Sequence, residues 1–257
     1  MRLVERLHAA CRGRAADVRV SELVIGLGFT AVALEDGGLG LAYTWADDRA
    51  CCSHLRGWED AEGASATGLL DLLLGDGGLE RSIGMAAANA LNHAAALVLP
   101  QDEGPAGAVI DRLGIGDGTN VSMVGFFPPV ARALEGLGAH LDVVDDDKGM
   151  GDQAAFRARL DRWADVLIMT ATTLLGDTVD ELLLAAGPQV RVALLGPTTP
   201  LVPEAFAGSR VDLLAGMVPV DAAAVLRGVR HGAGAPELQR CSRKVYCALR
   251  DSAGGPS

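Results

Sequence analysis

Residues 121–147 read VSMVGFFPPVARALEGLGAHLDVVDDD. An apolar run from Val121 to Val124 stops at Gly125, and a helical segment follows from Pro128 to Leu137. A second apolar run then meets three successive carboxylates, Asp145, Asp146 and Asp147. This is the outline of a βαβ unit. In nucleotide-binding α/β domains the first strand brings a ligand to a glycine turn and helix N-terminus, and an acid about 20 residues on accepts from ribose hydroxyls. Gly125 and Asp145 stand in that relation. The turn, Gly125-Phe126-Phe127-Pro128-Pro129, lacks the G-x-G-x-x-G glycines that let a pyrophosphate approach the backbone, which disfavours a standard NAD or FAD site. A parallel sheet with no nucleotide would also use a glycine here and tolerate an acid at the strand end.

Downstream the alternation continues: a helix over 155–164, a strand over 165–170, a helix opening at Thr178, strands over 190–195 and 211–215, and a helix over 221–229. Thr178 and Glu181 have capping-box spacing, and Gly187 is placed to end that helix. Repeated alternation of this kind predicts a Rossmann-like, doubly wound, mostly parallel sheet. Ser242 to Leu249 reads as a final edge strand, and residues 250–257 as a disordered tail.

Upstream the pattern differs. MRLVERLHAAC places Leu3, Leu7 and Ala10 at helical spacing, an amphipathic helix and not a signal peptide. A hairpin is expected about Asp36-Gly37-Gly38, a polar loop over 47–65, and helices over 67–74 and 79–97. Strands followed by helices describe an α+β unit. LPQDEGPAG, residues 99–107, carries two prolines and two glycines between apolar segments and marks the boundary, giving domains 1–104 and 105–257.

The chain has 22 Lys plus Arg against 33 Asp plus Glu, and its net charge of -11 argues against nucleic acid and anionic membranes as partners. Hydrophobic residues make up 49% but aromatics only 4%, so the core must be built from Ala, Val and Leu at close approach. The longest apolar stretch, 84–99, contains Asn89, Asn92 and His93 and is too short to span a bilayer. Five cysteines without a paired framework agree with a reducing compartment, and a cytoplasmic protein is expected. Glycine- and alanine-rich surfaces would permit a symmetric homodimer.

In an open parallel sheet, ligands collect beyond the carboxyl ends of the strands. Those ends are Gly125 to Pro128, Asp145 to Asp147, Thr170 with Thr172 and Thr173, Gly196-Pro197-Thr198-Thr199, and Gly216-Met217. Small, hydroxylic and acidic residues make a rim suited to a small polar ligand. The threonines have an ordinary alternative, since they commonly cap the helix that follows. In the first unit Arg81, Asn89 and Asn92 share a helix, so its amides are either buried and hydrogen-bonded or face a polar cleft. Cys51-Cys52-x-His54 raises zinc or a softer metal, but adjacent cysteines cannot easily turn to one ion and no second pair of ligands follows.

As a set, FTAVAL with GLGLAYT, RSIGMAAANALN, MVGFFPPVARAL, DVLIMTATTLL, ALLGPTTPLVPEAF and VDLLAGMVPVD resemble the heavy-metal chelation family. In that family an enolase N-terminal-like domain precedes a Rossmann-like domain. The resemblance spans nearly the whole chain and implies one cleft shared by both domains, with Thr30, Arg81 and Asn89 approaching the strand-end loops. It implies condensation or hydrolysis in making pterin-like or metal-chelating molecules. Where the family often reads Thr-Thr-Leu-x-Asn-Gly-Thr, this chain has Thr172-Thr173-Leu174-Leu175-Gly176-Asp177-Thr178 and loses the asparagine. The expectation is a small-molecule biosynthetic enzyme, by group transfer or condensation rather than hydride transfer. It binds an S-adenosylmethionine-like or other nucleoside-bearing ligand against Gly125 and Asp145, and a second substrate under Arg81 and Asn89, with Asp177 in a catalytic role beside Arg81. The alternative is a non-catalytic protein that holds a metal ion or metal chelate.

Overall fold

The computed structural model describes residues 1–45, 58–104 and 106–250. Helix α1 (Leu3–Asp17) leads into a three-stranded antiparallel sheet, β1 (Val20–Ile25), β2 (Phe29–Leu34) and β3 (Leu39–Tyr43), in that order. Helices α2 (Ala66–Asp71), α3 (Gly78–Leu91), α4 (His93–Leu97) and α5 (Gly107–Arg112) follow. The second half runs β4 (Asn120–Val124), α6 (Pro128–Gly136), β5 (His140–Val144), α7 (Gln153–Arg159), β6 (Val166–Thr170) and α8 (Val179–Ala185). It continues with β7 (Arg191–Leu195), α9 (Pro203–Phe206), β8 (Leu213–Pro219), α10 (Ala222–Arg230), α11 (Ala235–Leu238) and β9 (Ser242–Ala248).

The large sheet has the order β5-β4-β6-β7-β8-β9, parallel throughout except for the antiparallel β8–β9 pair at its edge. Strands covered on both faces are apolar without alternation, and Val166, Leu167, Ile168 and Met169 are all fully buried. The expected class, a mostly parallel α/β sheet after a smaller antiparallel unit, is what the chain forms.

Scarce aromatics are offset by close backbone approach. Gly40 of β3 lies flat on α3, where an added Cβ would fall inside 3.0 Å of the Ala86 carbonyl and the Ala90 amide. Gly84 of α3 meets the Leu73 backbone in the same way. Only glycine permits such contacts, and buried Ala86, Ala87, Ala88 and Ala90 complete the surface. Helix α1 buries Leu3, Leu7, Cys11 and Ala15 at four-residue spacing, packs on α2 and α9, and so touches both halves.

Several local expectations are corrected. The stretch SELVIGLGFTAVALE is two strands, turned at Gly26-Leu27-Gly28, although the Asp36-Gly37-Gly38 hairpin forms as read. The helix expected over 79–97 breaks at Asn92, whose backbone leaves the helical region at φ -100 and ψ 3. Thr178 precedes α8 but its side chain makes no cap bond, since its backbone is helical at φ -97 and ψ -12 where a cap needs it extended, and Glu181 turns to Arg157 at 3.1 Å. The carbonyls that close α8 are held by Arg210, whose guanidinium donates to Leu183, Ala186 and Gly187. Strand β8 does not end at Ala215, since Gly216 and Met217 continue the ladder opposite Val245 and Lys244. The expected tail beyond Arg250 and most of the expected 47–65 loop lie outside the described residues.

Candidate functional site at the sheet's switch point

The order 2-1-3-4-5, counting the parallel strands by their place in the chain, puts the reversal of winding between β4 and β6. Helix α6 carries the chain from β4 to β5 on one side, and β6 pairs with β4 on the other. A crevice forms at such a reversal beyond the strand ends. Its walls are Gly125 and Thr170: Gly125 is left-handed at φ +80, and a Cβ there would stand 2.8 Å from Thr170 Cγ2. Gly196 after β7 is also left-handed, at φ +110, and the Phe127 ring lies 3.7 Å from where its Cβ would be. Phe127 therefore reaches from the β4 turn to the β7 turn, across the end of β6. Gly125, Phe126, Phe127, Thr170, Thr172, Gly196 and Pro197 are all half-buried, as walls of a crevice are.

The turn's backbone donors are largely committed. Gly125 N donates to Val144 O at 2.8 Å and Phe126 N to Asp145 Oδ2 at 2.7 Å. Pro128 and Pro129 open α6 with no N–H at all. Asp145 is buried and engaged on both oxygens, its Oδ1 accepting from Lys148 N at 3.1 Å and its Oδ2 also from Lys148 Nζ at 2.5 Å. Burial alone would raise its pKa, but the hydrogen bonds from Lys148 and from the Phe126 and Lys148 amides outweigh that and hold it below the ordinary 3.8. Its carboxylate fixes the turn. Asp146 is exposed and accepts from Gln153 Nε2 at 2.9 Å.

Thr170 and Thr172 share a hydroxyl contact at 3.1 Å, while Thr173 is buried and donates to Thr170 O at 2.8 Å. The loop after β7 is covered by the first half. Tyr43 N, on the outer edge of β3, donates to Thr198 Oγ1 at 2.9 Å, and Asn89 Nδ2 donates to Leu41 O at 2.8 Å and Thr198 O at 3.3 Å. Arg81 donates through Nε to Gly75 O and through Nη1 to Leu175 O, both at 2.8 Å. Arg81 and Asn89 therefore touch the strand-end loops, with these donors on protein carbonyls. Asn92 is a satisfied buried amide, donating to Leu201 O and accepting from Arg14 at 3.1 Å.

Three expected residues stand elsewhere. Thr30 is buried within the small sheet, its hydroxyl 2.9 Å from that of Thr44. Met217 packs in a core cluster with Val24, Phe29 and Val225, and Gly216 sits mid-strand. Both were misplaced because β9 extends the ladder past the point where the sequence turns small. Asp177 is held by Arg2 Nη1 at 2.7 Å and is the described non-glycine residue with positive φ, +59. That conformation suits the glycine of the family pattern. The lost asparagine is explained one residue earlier, because the Trp45 ring lies 2.8 Å from where a Cβ on Gly176 would be. Trp45, Tyr43 and Lys148 escaped the sequence reading. Of these only Lys148 left a local signal, three residues after Asp145.

A heavy metal finds little among the described residues. No group of three or more His, Cys, Asp or Glu is placed to hold one there. Burial pushes the Cys11 thiol up to about 11, and Cys241 and Cys247 are raised by the same cause, which disfavours the thiolate a metal requires. Cys51, Cys52 and His54 lie outside the described residues. Among the described residues no helix is long and apolar enough to cross a membrane.

The fold is that of an open α/β protein with its switch point between β4 and β6, whose β7 loop is covered by a small antiparallel unit. More particularly, the chain belongs to the DUF364 family, described as "Putative heavy-metal chelation", whose model matches residues 108–248. A second model of the same description, DUF4213, matches residues 8–92. Among solved structures the chain is similar to a protein of unknown function from the DUF364 family of Pyrococcus horikoshii, at 22% identity and a TM-score of 0.78, covering 96% of this chain and 100% of that one. It is equally similar to a DUF364 protein of unknown function from Desulfitobacterium hafniense DCB-2, at 22% identity and 0.78, covering 96% and 98%. No curated protein matches the chain.

Proposed function

We propose that the chain is a small-molecule enzyme of group-transfer or condensing type, and that its ligand lies across the β4–β6 switch point. The ligand proposed is nucleoside-bearing and unphosphorylated at its anchor, of the S-adenosylmethionine kind. One observation carries this reading: the Gly125–Pro129 turn keeps the open glycine of a ligand-binding turn yet has spent or deleted most of the backbone donors that would cradle a phosphate. The groups at this end of the sheet are the Phe127 ring, the paired hydroxyls of Thr170 and Thr172, and the half-exposed ammonium of Lys148, which Asp145 holds on one side. Those groups suit a planar ring, polar substituents and a carboxylate. Asp145 serves here to fix the turn and Lys148, in place of the ribose contact expected from spacing.

A thermal-shift panel tests this with S-adenosylmethionine, S-adenosylhomocysteine, adenosine, NAD, ADP and divalent metals. A ligand at a hundred times its Kd stabilises the folded state by about 2.7 kcal/mol, which raises Tm by roughly 5–10 °C in a chain of this size. Adenosyl compounds should produce that rise, and Phe127→Ala or Thr170→Val should remove it. Equal rises with NAD and ADP would defeat the unphosphorylated anchor. A rise with metals alone would favour the second reading, a metal or metal-chelate binder, which the family's description supports.

A further inference from the structure

The two halves also meet along a seam beside the loop that follows β7. It is lined by Leu39 and Leu41 of β3, by Asn89 and His93 where α3 gives way to α4, by Thr199 of the loop after β7 and by Met217 of β8. Thr199 is 2% exposed, and its Oγ1 finds no hydrogen-bond partner among the described residues. A buried hydroxyl left in that condition costs about 1–3 kcal/mol, so native proteins satisfy such groups almost without exception. Nearby polar groups do not reach it. Asn92 is committed to Leu201 and Arg14, Asn89 Nδ2 to Leu41 and Thr198, and His93 Nε2 to Pro219 O at 2.8 Å. The backbone amide of Thr199 is turned back to Gly196 O at 3.0 Å.

The cavity that Thr199 lines holds about 10 Å³, on the scale of a single water molecule and too small for any organic ligand. Asn89 and His93 line it beside Thr199, and each carries a side-chain polar atom beyond the bonds just named, so the 2–4 partners a buried water takes are at hand. We propose that this seam holds one internal water, bonded to Thr199 Oγ1 and to His93 or Asn89, as a fixed part of the joint between the halves. The proposal is independent of what occupies the switch point.

Two near-isosteric substitutions give the first readout. With a bridging water, Thr199→Val strands the water and lowers Tm by about 2–4 °C, whereas Thr199→Ser keeps the hydroxyl and stays closer to wild type. With no water, Thr199→Val removes a buried hydroxyl that has no partner, and Tm is unchanged or higher. A high-resolution crystal structure of the wild-type chain supplies the second readout. Solvent density within hydrogen-bond distance of Thr199 Oγ1 supports the proposal, and a map with none there overturns it whatever the melting temperatures show.

Discussion

Asp145 is tied into the β4 turn through both of its oxygens. Its spacing from Gly125 is that of a ribose acceptor, yet its oxygens hold Phe126 N and both donors of Lys148. Its folded pKa is lowered, so its stabilising contribution is complete above the ordinary 3.8 and is lost as pH falls through the lower folded value. Asp145→Asn should therefore cost about 1–2 kcal/mol at pH 7, and the gap in Tm between variant and wild type should close as pH is taken below that range. A gap that persists unchanged in acid would show that the charge is immaterial. At Asp177 the backbone sets the expectation, since φ is +59 in a residue with a Cβ. Asp177→Ala should destabilise by about 1 kcal/mol and Asp177→Gly by less, as measured by urea unfolding, because alanine tolerates the left-handed region worst. None of this is visible in spacing alone: which oxygen a turn amide meets, and which sign φ takes, are settled by the folded surroundings.

Elements were legible where one local period governs them. The helical spacing of Leu3 and Leu7 gives α1, although Cys11 and Ala15 continue its buried stripe in place of the expected Ala10, and the unbroken apolar run Val166 to Met169 gives a strand buried on both faces. Legibility failed where a distant partner decides. Strand β8 continues through Gly216 because β9 pairs with it, and Glu181 leaves its capping position for an arginine on α7. Gly40 carries the strongest prediction at this level. Gly40→Ala drives a methyl group into the α3 backbone at Ala86 and Ala90, so it should cost about 3 kcal/mol or abolish folding. Circular dichroism melting of that variant beside Gly13→Ala, where an added Cβ meets nothing within 4 Å, separates overpacking from a general intolerance of alanine.

For the whole molecule, the strand-end loops of the candidate site could be read from the order of runs and turns, and the family resemblance named Arg81 and Asn89 of their cover, while Tyr43 and Arg2 carried no signal in the sequence. Arg81 ties Gly75 to Leu175 across the two halves, Tyr43 and Asn89 close on Thr198, and Arg2 reaches Asp177. Arg81→Ala should lower Tm by roughly 3–8 °C through lost charge-assisted bonds, and Arg81→Lys should recover only part, because an ammonium cannot serve two carbonyls in the guanidinium's fork. A full recovery with lysine would mean that charge alone matters there. The connector has its own consequence. Gln101 bridges Val245, Tyr246 N donates to Pro100 O, and Asp102 N donates to Lys244 O, so the passage between halves is laid along β9 as one more short rung. It screens backbone that would otherwise recruit a strand from a neighbouring molecule, and severing the gene at that point would yield a C-terminal fragment prone to stick to itself.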